Sequence, residues 1–107
     1  MPAYTEPVDG QASVSPDVLA RYAADAAREV EGVRSLVESH LPRQKGARIT
    51  QENGALAVEL HLRVEWGSSV PDVGKAVQRR VADYLEQMAG TRPTTVNVVV
   101  DEFAPAE

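Results

Sequence analysis

The residues best equipped for chemistry lie in the run Ala55 to Trp66, ALAVELHLRVEW, where Glu59, His61, Arg63 and Glu65 recur at every second position. In a strand this spacing puts all four on one face. A carboxylate two positions from an imidazole has the makings of an acid–base pair or of part of a metal site. The polar face of a half-buried strand uses the same residues, and we adopt that plainer reading. The second histidine, His40, falls in an expected loop. Ser68 and Ser69 follow Gly67 as potential nucleophiles or phosphate ligands, but the glycine-rich pattern of phosphate cradles is missing and Ser69 is placed to cap a helix. Lys75, Arg79 and Arg80 form a local basic spot that Asp72, Asp83 and Glu86 dilute at helical spacing. The chain has no cysteine, which excludes disulfides, thiol nucleophiles, thiolate metal sites and cysteine-held clusters. We therefore expect no catalytic residue, metal or cofactor.

The elements that position these residues follow from periodicity and punctuation. Val14-Ser15-Pro16 opens a helix, with Ser15 as cap, Pro16 in the first turn and Val14 stapled onto Leu19. Val18, Leu19, Tyr22, Ala23, Ala26, Ala27 and Val30 share its apolar stripe, and Gly32 is the expected stop. Val33 to Glu38 reads as a short strand and Leu41 to Lys45 as a loop. Asn53-Gly54 is the dipeptide preferred by a two-residue hairpin turn. That turn sets Glu52 opposite Ala55, Ile49 opposite Val58, Ala47 opposite Leu60 and Arg48 opposite Glu59, with an ion pair expected in the last case. The second hairpin strand points Leu56, Val58, Leu60, Leu62, Val64 and Trp66 inward, which places Trp66 in the core or at the sheet rim.

Ser69 caps a second helix with Pro71 and Asp72 in its first turn, and Gly90 ends it. Its stripe is Val70, Val73, Val77, Val81, Tyr84, Leu85 and Met88. A last strand from Thr94 to Phe103 turns Val96, Val98 and Val100 inward and Asn97, Val99 and Asp101 outward. The resulting order is an α+β fold, a two-layer sandwich in which a small mixed β-sheet carries two helices on one face. Its other face would present Glu59, His61, Arg63, Asn97 and Val99, the residues we assign to a partner interface.

The 107 residues suit one domain, here 11–103, between an arm at 1–10 and a tail at 104–107. Met1 to Gly10 has neither the basic start nor the apolar segment of a secretory signal, and no apolar run is long enough to span a bilayer. Cytoplasmic location without membrane insertion is the expectation. The net charge of −5 opposes attraction to nucleic acid or anionic lipid. No two glycines stand three apart, so the GXXG clamp of a KH RNA-binding domain is missing. The iron–sulfur assembly modules of similar element order work through cysteine, which is absent. A small-ligand or metal-binding module and an RNA-associated module stay open as alternatives.

Three segments carry a family resemblance: SVSPDVLARYAADAAREVEGV, LRVEWGSSVPDVGKAVQRRV and LEQMAGTRPTTVNVVVDEF. Their EVEGV at Glu29 to Val33, the Trp66-Gly67 pair, Val77-Gln78, and MAG followed by VNVVV resemble the alkaline shock protein 23 family of bacterial envelope stress response proteins. The resemblance runs from Gly10 to Phe103. It implies a non-enzymatic cytoplasmic protein that gathers at the inner side of the cell membrane, often through a membrane-anchored protein partner, and self-assembles into homo-oligomers. It supplies no active-site residues.

Overall fold

The computed structural model describes residues 14–38 and 46–105, in the order α1 (Pro16–Arg28), β1 (Val33–Leu36), β2 (Ala47–Glu52), β3 (Ala55–Glu65), α2 (Val70–Ala89) and β4 (Thr95–Ala104). His40, the segment Leu41 to Lys45 and the 1–10 arm lie outside the described residues.

The hairpin fixes the sheet. Asn53 and Gly54 both take positive φ, 50° and 79°, the backbone a tight two-residue turn requires. The register is the expected one, with Glu52 opposite Ala55, Ile49 opposite Val58 and Ala47 opposite Leu60. Arg48 is opposite Glu59 as well, but Glu59 turns its carboxylate to His61 and the expected cross-strand ion pair is not formed.

β3 is the axis of the sheet. β4 runs parallel to it from Ala57 to Glu65 along one edge, while β2 and then β1 pair antiparallel with it along the other. Since a strand has only two edges, β1 and β2 lie end to end along the same edge of β3, with an interruption between Val37 and Gly46. His61 sits at the interruption: its carbonyl accepts from the Val37 N–H at 2.8 Å and its own N–H donates to the Gly46 carbonyl at 2.9 Å. Gly46 is needed there. Its φ is +85°, and a Cβ would lie 2.7 Å from Leu36 Cβ and 2.9 Å from the Val37 carbonyl oxygen.

Leu56, Val58, Leu60, Leu62 and Val64 of β3 are buried beneath α1 and α2, together with Leu19, Val77, Val81 and Leu85. Burying each such side chain contributes roughly 1.5 to 3 kcal/mol before entropy is charged against it. The helices meet through Tyr22 and Tyr84, edge to face at 5.9 Å. Ser15 and Ser69 cap α1 and α2, accepting from the Val18 and Asp72 amides, and Gly90 closes α2 in the left-handed conformation. The mixed sheet with both helices on one side is the expected two-layer α+β sandwich.

Several details differ from the sequence reading. α1 ends at Arg28 rather than at Gly32, and its buried set includes Ala20 and Ala24, whereas Val18, Tyr22 and Val30 are half-buried. Alanine is small enough for the helix to roll onto a wider alanine face. Gly32 instead turns the chain into β1, where a Cβ would meet Val73 Cγ2 at 2.9 Å. Met88 is exposed, while Ala89 next to it in the last turn of α2 packs against the core. β3 stops at Glu65, so the alternation that placed Trp66 inward no longer applies there, and its side chain is 66% exposed at the rim. β4 extends to Ala104, one residue beyond the expected end of the strand at Phe103, and Ala104 is buried and accepts the Trp66 N–H at 2.7 Å.

Candidate functional site

The sheet face away from the helices carries the interface residues assigned from the sequence, and the strand register explains why. Glu59, His61 and Arg63 are odd positions of β3. Parallel pairing puts Asn97 beside Glu59 and Val99 beside His61. All five therefore occupy one surface, with Val99 38% exposed at its β4 side.

A β-bulge then alters the neighbourhood. The β3–β4 register shifts between Leu62 and Arg63, so that Asp101 is the extra residue of β4 and Glu102 faces Arg63. The bulge brings the Asp101 carboxylate to His61. His61 Nδ1 lies 2.8 Å from Asp101 Oδ2 and Nε2 lies 2.6 Å from Glu59 Oε2, with the His61 side chain only 13% exposed. Ionised carboxylates only accept, so both ring nitrogens must donate, and the imidazolium is the form that does so. Burial disfavours that charge, but the hydrogen bonds the ring donates to Glu59 and Asp101, reinforced by their negative charges, outweigh it and raise the His61 pKa above its usual 6.5.

This clamp corrects the picture of a merely solvated strand face. With both nitrogens engaged, the ring offers no lone pair to a metal or a substrate. Among the described residues no group of three or more His, Asp or Glu side chains is arranged to hold a metal ion. Asp101 is the member of the cluster that sequence reasoning missed. It was legible as an outward residue of the last strand, but its meeting with His61 depends on the parallel register and the bulge. Arg63 Nε lies 3.8 Å from Glu102 Oε1, too far for a hydrogen bond, and is shielded from solvent.

The other candidates lie elsewhere. Ser69 caps α2 and Ser68 lines a cleft with Glu31, Glu65 and Asp72. Lys75, Arg79 and Arg80 line a shallow groove with Glu31 and Asp83, and Arg80 is paired with Glu29. His40 lies outside the described residues.

Comparison with solved structures supports the fold. A doubly substituted MamM CTD superposes with a TM-score of 0.61 at 17% identity, covering 80% of this chain and 81% of that one. The manganese form of another substituted MamM CTD gives 0.58 at 18% identity, covering 80% and 96%. At these identities the likeness is one of fold alone. In sequence, an uncharacterized protein of Streptococcus pyogenes serotype M6, Spy1535, is 28% identical over 100 residues, which span 86% of this chain and 78% of that protein. The model of the alkaline shock protein 23 family, described as having a cell envelope-related function, matches residues 4–104. With nearly the whole chain matched, and with the α+β sandwich and the clamped sheet face now described, the chain belongs to the alkaline shock protein 23 family, whose function relates to the cell envelope.

Proposed function

We propose that the protein is a non-enzymatic scaffold of the envelope stress response, acting at the cytoplasmic side of the membrane by protein–protein contact through the open face of its sheet. The observation that carries this reading is the composition of that face. No described helix covers it, and it holds a fixed charge pattern, with Arg63 and the His61 imidazolium set among Glu59, Asp101 and Glu102, beside the outward Val99. Alternating signs on one flat surface are self-complementary across a two-fold axis, so the occupant we assign is a second copy of the chain.

Peripheral attachment is the form of membrane association this reading uses, because no helix among the described residues is long and apolar enough to cross a membrane. A membrane-anchored protein partner would then hold the assembly at the envelope. The test is a pull-down from native membranes with tagged wild type and with the Arg63→Glu, Val99→Asp variant. Co-purification of untagged copies and of an integral membrane protein with the wild type, and loss of the untagged copies with the variant, is the expected result. Equal recovery of untagged copies by both would reject the face as the contact surface.

A further inference from the structure

The sheet ends at β4. Its inner edge pairs with β3, and among the described residues no strand pairs with its outer edge. The register tells which backbone groups face that way. His61 turns its N–H and carbonyl to Gly46 and Val37, away from β4, so Leu60 and Leu62 turn theirs toward β4. In a parallel ladder the residues opposite those two, Val98 and Val100, and by alternation Val96, then direct their own N–H and carbonyl groups outward. Gln78 on α2 marks this direction, its Nε2 donating to the Val96 carbonyl at 3.0 Å.

The stretch Val96 to Val100 lacks the devices that keep an edge from pairing. Thr95–Ala104 contains no lysine and no proline, and the bulge with Asp101 and Glu102 comes only after Val100. The side chains of Val96, Val98 and Val100 pack against the core yet stay half-buried at this last strand. The stretch is also complementary to itself. Antiparallel pairing of two copies about a two-fold axis at Val98 sets Val96 opposite Val100 of the second copy and Asn97 opposite Val99, so that the valine row continues across the junction on the helix side. The same direction carries Asp101 and Glu102 of the two copies to opposite ends of the pair, where a parallel arrangement would set like charges together.

We infer that the outer edge of β4 is a second self-association surface, on which two copies join their sheets antiparallel through Val96 to Val100 with Val98 on the axis. This extends the scaffold reading, because a face contact and an edge contact on one chain, each two-fold, link copies beyond a dimer. Val99 belongs to both contacts, so Val99→Asp burdens both, whereas the outward backbone of Val98 serves the edge alone.

The chain has no cysteine, so introduced thiols report without background. Full-length Asn97→Cys and Val99→Cys proteins, one of them tagged, are mixed in equal amounts and mildly oxidised. In the inferred register, position 97 of one copy and 99 of the other lie about 4.5 Å apart between Cα atoms, within disulfide reach, whereas 97 to 97 and 99 to 99 exceed the limit of roughly 7 Å. The expected result is more mixed disulfide than both homodisulfides together. Adding Val98→Pro to both proteins, or Val96→Pro if the first does not fold by circular dichroism, should abolish that excess, because it deletes an outward N–H that the β3–β4 ladder does not use. Disulfides in the random proportion, no disulfide dimer, or an excess that survives in the folded proline variant would overturn the proposal. A Val99→Cys homodisulfide alone would overturn it while leaving the open face as the contact between copies.

Discussion

The two faces of β3 are built from alternate residues of one strand, yet they solve opposite problems. The even positions from Leu56 to Val64 are apolar and sealed beneath the helices. The odd positions from Ala57 to Glu65 are half-buried and hold charge, which the structure balances locally by setting His61 between Glu59 and Asp101. Stability on the first face comes from removing apolar area from water and is insensitive to pH. On the second it comes from an ordered set of charges, and it changes with protonation. The contrast shows how one strand can carry a robust core and a surface whose charge pattern is fixed in place.

The largest expected effect breaks the core face. Leu60→Ala should lower stability by roughly 2 to 5 kcal/mol, since the side chain is fully buried at the centre of the sheet. A denaturation midpoint unchanged from wild type would mean that the faces are reversed. Next comes the junction that serves both faces. Gly46→Ala should cost about 1 to 3 kcal/mol from the positive φ, with the contacts to Leu36 and Val37 adding to it. Urea unfolding checks this, and a loss no greater than that of an exposed-loop substitution would refute the close approach.

The open face is sharpened by titration. Because the His61 pKa is raised on folding, the stability its clamp contributes is fully present below the unfolded value of about 6.5 and is lost as pH rises through the folded value. Wild type should therefore lose stability between neutral and mildly alkaline pH by more than His61→Gln does. Parallel pH profiles for the two proteins would contradict the clamp. Asp101→Asn should lower the His61 pKa, measured by NMR titration of the imidazole, because it replaces an anionic acceptor with a neutral one.

How far these faces could be read in the sequence differed by element. The hairpin was legible because Asn53-Gly54 pins a turn, and a pinned turn leaves one register compatible with the apolar pattern. α2 was legible from Ser69 and Gly90, which mark both its ends. The end-to-end placement of β1 and β2 was not, because local pattern does not say which edge of β3 a short strand will take. The Glu59–His61–Asp101 clamp was half legible. Two members lie on one strand at a spacing of two, but the third arrives through a parallel pairing and a bulge that leave no local signature. Ala20 and Ala24 were overlooked because alanine is nearly neutral in any apolar periodicity.

The smallest expected effect on stability accompanies the central claim, that the open sheet face is where copies of the chain meet. Arg63→Glu together with Val99→Asp changes partly exposed positions and should shift the unfolding free energy by only about 0.5 kcal/mol. Light scattering after size exclusion, run across a concentration series at neutral pH, tests the claim most directly. The account predicts a wild-type mass that rises with concentration and a double variant that stays monomeric. A wild type that remains monomeric at high concentration, or a double variant that assembles equally well, would contradict it.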